Sequence, residues 1–295
     1  MELDYIVPDE KRLRVIVDTD AACEADDPYA IAHALMTKKF EVKAILAEHF
    51  NSPGSTKRSY DEIVTILKAM SIDVPVYMGE EQPMEKQTKD ATSPAVDFLI
   101  EEALRPEEKP LYVLCLGAIT NVATAMKKCP EIISKMTVVW IGGQDYNHQN
   151  PNIREFNAGN DVEAANLVLQ SKVNLWQIPM NVYGSMRIGL AELQKKVLPC
   201  GEIGNHLFYQ MTEYNCSPYA GWTMGESWSL GDSPAVAVTM DPCCGTYIER
   251  KAPFIQADTT YCEVTEGPMI RVYTHVDSRF VLEDFISKLQ LLYLE

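Results

Sequence analysis

The stretch LRVIVDTDAACEADDPYAIAHAL, residues 13–35, decides the reading of this chain. Its opening, Leu13 to Val17, is a short apolar run rich in β-branched residues and reads as a buried strand. Directly after it four aspartates, Asp18, Asp20, Asp26 and Asp27, fall within ten residues. Like charges packed that closely repel one another unless something positive sits among them. A hard divalent cation meets the need, because calcium and magnesium take carboxylate oxygens. A solvated acidic loop is the plain alternative, and the flanks weigh against it. Pro28 stands in the first turn of an apolar helical stretch through Ala30, Ile31 and Leu35, so the acids lie where a strand ends and a helix begins. Open α/β sheets bind their ligands at that edge.

Outward from this stretch, apolar runs alternate with helical patterns. Further strands are expected over Val42 to Ala47, Val74 to Met78, Leu111 to Leu116, Thr137 to Ile141 and Leu175 to Ile178. Helices are expected over Pro28 to Met36, Thr56 to Met70, Pro94 to Leu104, Ile119 to Lys127 and Val162 to Gln170. Such alternation with short loops predicts an α/β fold, a mostly parallel open sheet flanked by helices around a Rossmann-like core. After residue 180 the pattern changes. Helical stretches over Ala191 to Val197 and Ile203 to Glu213 lead into the aromatic loop NCSPYAGWTMGESWSLGDSP, followed by a helix from Pro234 to Met240. Residues 252 to 275 read as a small antiparallel addition and Arg279 to Leu292 as a closing helix. No linker or repeat interrupts the chain, so residues 1–295 read as a single domain.

Composition narrows the function. A net charge of −16 over 295 residues argues against nucleic acid or an anionic membrane as partner and suits a small neutral substrate. No stretch of apolar residues is long enough to span a bilayer, and the charged start MELDYIVPDEKR is not a secretory signal. Eight cysteines without a CxxC pair read as reduced thiols, so a cytoplasmic location is expected. Glu101-Glu102 and Glu107-Glu108 read as a solvated face, and Gly142-Gly143 as a strand-end turn.

The aspartate string, taken with later segments, resembles the inosine–uridine-preferring nucleoside hydrolases, which open on a strand and a calcium-binding DxDxxxDD loop. DVPVYMG is similar to that family's PVY-x-G strand, LCLGAITNVATAM to its GPLTN segment and VVWIGG to its MGG strand. NIREFNAGNDVEAANLVL is similar to EFN-x-x-x-DPEAA, and GDSPAVAV to the HDP-x-AVA helix start. The matches fall in family order and reach from about residue 12 to 240. The resemblance implies a calcium-dependent hydrolase of the N-glycosidic bond of ribonucleosides, acting in nucleoside salvage as a homodimer or homotetramer. It implies Ca²⁺ held by Asp20, Asp27 and Asp232, with the backbone carbonyl of Thr120. Asp20 would also be the general base toward a metal-activated water. Asp26 would bind the ribose 2′-hydroxyl, and Asn51, Glu155 and Asn157 the other hydroxyls, with Asp18 supporting the loop.

Two departures stand out. Five residues, Ala21 to Ala25, separate Asp20 from Asp26 where DxDxxxDD has three, and they bring Glu24 within reach of the metal. The family's histidine before the last aspartate, which protonates the departing base, is Gly231 here. Candidates for the leaving-group side are His49, His148, Tyr219 and Glu226, with Tyr219, Trp222 and Trp228 able to stack on a base. A haloacid-dehalogenase-type phosphatase is the rival enzyme, but its DxDx[TV] motif is broken by Ala21-Ala22. A calcium-dependent nucleoside binder without turnover is the rival of another class, and Asp20 argues against it.

Overall fold

The computed structural model describes residues 3–262 and 264–294. Its strands are β1 (Leu13–Thr19), β2 (Phe40–Ala47), β3 (Val76–Met78), β4 (Leu111–Cys115), β5 (Met136–Ile141), β6 (Asn174–Ile178), β7 (Arg187–Gly189), β8 (Ser227–Ser229), β9 (Gly245–Lys251), β10 (Phe254–Ile255), β11 (Tyr261–Cys262) and β12 (Met269–Val276). The helices are α1 (Asp27–Met36), α2 (Ser55–Met70), α3 (Pro94–Leu104), α4 (Thr120–Lys128), α5 (Phe156–Asn160), α6 (Val162–Gln170), α7 (Met180–Tyr183), α8 (Leu190–Lys196), α9 (Gly201–Asn215), α10 (Ser233–Met240) and α11 (Ser278–Tyr293). None of the described helices is long and apolar enough to cross a membrane.

Eight strands form the main sheet in the order β3-β2-β1-β4-β5-β6-β12-β9, parallel throughout except for β9 against β12. Strand side chains alternate between its faces. Val15 and Val17 join α1, α2, α9, α10 and α11 in one buried layer, while Ile16 joins α3, α4 and α6 in the other. Burial on both faces explains why these strands read as unbroken apolar runs. Truncating a fully buried side chain here, such as Leu99 to alanine, would cost about 2–5 kcal/mol. The order turns back between β1 and β4, the topological switch point where such sheets open a crevice at their carboxyl ends.

The expected α/β architecture is present, with most element ends within a residue or two of their sequence-based positions. The carboxy-terminal part is more entangled than its sequence suggests. Only β10 and β11 form a separate antiparallel pair, whereas β12 extends the main sheet parallel to β6 and is itself covered by β9. The pair β7 and β8 joins two segments about forty residues apart and was not foreseen. Glu102 also departs from expectation. It is buried and ion-paired with Arg14 at 2.9 Å, because α3 lays it against the start of β1. Cys23, Cys115, Cys129, Cys200, Cys216, Cys243 and Cys244 are free thiols.

Candidate active site

A cavity of about 490 Å³ opens at the carboxyl ends of β1 and β4, a volume within the usual range of small-molecule sites. Asp20, Asp26, Asp27 and Asp232 line it together. Two helix starts converge here, since Asp26 and Asp232 occupy the N-cap positions of α1 and α10. Aspartate at an N-cap ordinarily accepts a bond from its own helix. Ser93, Asp161 and Asp277 do so at the starts of α3, α6 and α11. Neither Asp26 nor Asp232 makes such a bond. Asp26 instead accepts from the Gly231 N–H at 2.9 Å, tying the start of α1 to the turn before α10.

Three of the carboxylates, those of Asp26, Asp27 and Asp232, bring ligand atoms within 4.8 Å of one another. Asp27 is anchored by Thr19, the last residue of β1, whose hydroxyl donates to its Oδ1 at 2.5 Å. Asp20 lies against the β4–α4 turn, where a Cβ on Gly117 would sit 2.6 Å from its Oδ1, so that turn requires glycine. No hydrogen bond or ion pair links these four carboxylates to a basic side chain among the described residues. Burial, reinforced by neighbouring acids, raises Asp20, Asp26 and Asp232 well above the ordinary carboxyl range. Burial also pushes Asp27 up to about 6 and Glu24 to about 7. The same burial and the charge of Asp20 push the Cys23 thiol up, so it stays protonated. This is an oxygen-only donor set with surplus negative charge, and it fits a hard cation of the calcium or magnesium type.

Beneath the cavity lies a second polar group of a different kind. Asn121, in the first turn of α4, donates through Nδ2 to Asp18 at 2.8 Å and to the Ala47 carbonyl at 3.3 Å, and accepts from the Glu80 N–H at 2.8 Å. Its backbone N–H donates to Glu48 at 3.0 Å. His49 Nδ1 accepts from the Asn51 N–H, which places the ring proton on Nε2 facing the Thr120 hydroxyl at 2.8 Å. Thr120 in turn donates to Asp161 at 2.7 Å.

A family model described as "Inosine-uridine preferring nucleoside hydrolase" matches residues 15–283. The chain belongs to this family. The pyrimidine-specific ribonucleoside hydrolase RihA of Salmonella paratyphi A is 26% identical to it over 91% of this chain and 90% of its own length. Among solved structures, the plant nucleoside hydrolase PpNRh1 superposes with a TM-score of 0.80 at 19% identity, covering 94% of this chain and 98% of its own. The purine-preferring ribonucleoside hydrolase from Gardnerella vaginalis superposes at 0.78 with 22% identity, covering 95% and 98%. The family is one of ribonucleoside hydrolases, enzymes that cleave N-glycosidic bonds.

Against the family's pattern, the structure brings together Asp20, Asp26, Asp27, Asp232, Glu155 and Asn157 around one cavity, and Glu24 with them. Glu155 caps α5 and accepts from the N–H groups of Gly143, Asn157 and Ala158 and from the Tyr183 hydroxyl. Those donors fill a carboxylate's acceptor capacity, so Glu155 braces the cavity wall in this conformation. Asn157 donates both amide hydrogens, to the carbonyls of Leu116 and Ile141 at the ends of β4 and β5. Its amide oxygen is the part left for a ligand. Thr120 and Asn51 are not among the lining residues. Thr120 directs its side chain into the network below, and exposed Asn51, at φ 51°, accepts from Lys86 at 3.3 Å.

The leaving-group candidates fare worse. His49 is fully buried, held at both ring nitrogens and pushed down to about 4 by burial, so it serves as a neutral structural link. His148, Tyr219 and Glu226 are exposed and outside the lining. Trp228 is buried, packing edge-on against Tyr214 and Trp222, and is a core residue. Of the rings in the aromatic loop, Trp222 reaches the cavity and Tyr219 and Trp228 do not. Sequence reasoning missed Tyr183 and Arg187, both lining residues delivered by the unforeseen α7–β7 segment.

Proposed function

We propose that this protein hydrolyses the N-glycosidic bond of a ribonucleoside with the help of a bound divalent cation, calcium on the family resemblance. The observation that carries the reading is the group of unpaired carboxylates at the switch point, where two helix starts forgo their own caps. Asp20, Asp27 and Asp232, with Asp26 beside them, would hold the cation. When bound, it supplies charge that lowers the pKa of the attacking water and orients water and sugar hydroxyls together.

The chain's own residues do the rest. Asp20 takes the proton of the water whose oxygen bonds to C1′. Asp26, steadied by Gly231, accepts from the ribose 2′-hydroxyl. Asn157 turns its amide oxygen to the sugar. As the C1′–N bond breaks, positive charge grows on the ribose ring, so the surrounding carboxylates bind the transition state more strongly than the substrate. The names of the relatives divide between pyrimidine and purine substrates, so what they share is the ribosyl chemistry.

The test is release of free base from a panel of ribonucleosides, with calcium and with a chelator. Wild-type protein is expected to turn over at least one nucleoside, to lose that activity to chelator and regain it with calcium. Asp20→Ala should lower the rate by about 10³-fold, within the span of general-base effects. Nucleoside binding without turnover would replace the proposal with a binder, and full activity in Asp20→Ala would overturn the assigned base. The same reading implies a homodimer or homotetramer, which light scattering measures directly.

A further inference from the structure

The wall that adjoins Asp26 and Asp232 carries an arginine that the folded protein leaves without a side-chain partner among the described residues. It is built by α7 and β7, with β8 bringing Ser229 into register opposite Arg187 and Leu230 bonding back to Met186. Gly231 follows two residues after Ser229, and the family places the histidine that meets the departing base there. That position is tight in this chain. A Cβ on Gly231 would lie 3.0 Å from Asp26 Oδ2 and 3.3 Å from Tyr183 Cδ2, so a side chain there requires both to give by a few tenths of an ångström.

The donors on this wall are mostly committed. The Gly231 N–H goes to Asp26 and the Ser229 hydroxyl to the Tyr183 carbonyl at 2.9 Å. The Tyr183 hydroxyl goes to Glu155 at 2.8 Å. Across the cavity, Arg154 donates to the carbonyls of Ala257 and Gly159. Arg187 lines the cavity from an exposed position, with no side-chain hydrogen bond or ion pair to any described residue. Half-exposed Trp222 lines the same cavity, seated edge-on against Trp228 at 5.0 Å.

We propose that Arg187 receives the departing nucleobase, donating to its acceptor atoms and offsetting the charge it gains as the C1′–N bond breaks, with Trp222 offering the base a flat face. The inference rests on the hydrolase reading above. Water oxygen bonds to C1′, its proton passes to Asp20, and the electron pair of the broken bond leaves with the base. A guanidinium stays protonated, so it stabilises this anion without protonating it, and the base takes its proton from solvent. In a cavity crowded with carboxylates a base anion would otherwise be repelled. Arg187 thus takes over, by charge, the task that a histidine performs by proton transfer.

Leaving-group dependence tests it. Wild type, Arg187→Ala and Arg187→Lys are assayed on inosine, uridine, inosine 5′-monophosphate and p-nitrophenyl β-D-ribofuranoside, whose p-nitrophenolate departs without help. Arg187→Ala should lower kcat on the nucleosides by about 10²-fold, as losing one preorganised donor does, and leave the p-nitrophenyl riboside within about threefold. Arg187→Lys should recover part of the loss. An equal fall on all substrates, or no fall on any, overturns the proposal. So does a selective loss on the 5′-monophosphate, which would make Arg187 a phosphate anchor. Wild type that cleaves the p-nitrophenyl riboside, and loses this in Asp20→Ala, upholds the hydrolase reading whatever Arg187 does. Wild type that cleaves none of them overturns both.

Discussion

Two groups of acids lie side by side at the carboxyl end of β1, and the protein treats them in opposite ways. Asp18, Glu48 and Asp161 face inward and receive donors from Asn121, His49, Thr120, Ala164 and Met84. Asp20, Asp26, Asp27 and Asp232 face the cavity, and the donors that reach them from outside the acid loop are the Thr19 hydroxyl and the Gly231 N–H, with Asp27 and Asp232 sharing a hydrogen bond with each other. Buried polar groups are normally satisfied within the fold. A cluster short of donors next to one that is supplied at every carboxylate, with Asp18 Oδ2 alone left over, marks where the fold leaves room for something from outside. Density of acids alone does not mark the site. The shortage of donors does.

The sharpest way to break this comparison is to disturb one member of each group. Asp232→Asn should lower nucleoside hydrolysis by about 10³-fold, several kcal/mol of transition-state stabilisation. Its stability without calcium should change by less than about 1 kcal/mol, since the side chain's partner in the fold is another acid, Asp27, which an amide can still bond. Asn121→Ala should do the reverse, destabilising the protein by about 3 kcal/mol through the donors and acceptors it abandons, as read by denaturant unfolding. If both variants lose activity and stability together, the two groups are one network and the distinction fails.

A second effect, of middle size, is the pH dependence of stability. Burial raises Asp18 to about 7 despite its bond from Asn121, and raises Asp27 to about 6. A carboxyl whose folded pKa exceeds its unfolded one binds its proton more tightly in the fold. Its contribution to stability is therefore largest at low pH and is lost as pH rises from about 4 through those values. Unfolding curves between pH 4.5 and 7.5 should show declining stability in cation-free protein. Calcium should flatten the cavity's share and leave that of Asp18. An identical slope with and without calcium would show that the cavity acids hold no cation.

The smallest effect belongs to the exposed residues. His148→Ala and Tyr219→Ala should each leave kcat/KM within about twofold, because neither lines the cavity. A larger loss in steady-state kinetics would mean that their loops close over the substrate.

The half of the site built from acids was legible because its physics is concentrated in sequence. DTD and DDP sit at one strand end, and GDSP repeats the acid-before-proline helix start far along the chain. Repelling charges, proline in a first turn and an apolar strand are local signals. The roles of Glu155 and His49 were less legible. His49 is a polar residue near a strand end and Glu155 follows from the family resemblance, but whether such a residue faces a ligand or a neighbouring N–H is decided by partners distant in sequence. Gly143 and Tyr183 hold Glu155, and Thr120 holds His49.

The sequence by itself determined the parallel α/β sheet, the acid-lined strand end and the family, because periodicity, helix starts and motif order are properties of short segments. Only the tertiary structure decided which acids lack a basic partner, and it packed Tyr183 and Asp26 closely around the place of the missing histidine. It also brought Arg187 to the cavity through a two-strand pairing between segments about forty residues apart, with Trp222 lining the same space. Those outcomes depend on which donors and side chains meet across the fold, and no local pattern in the chain encodes that meeting.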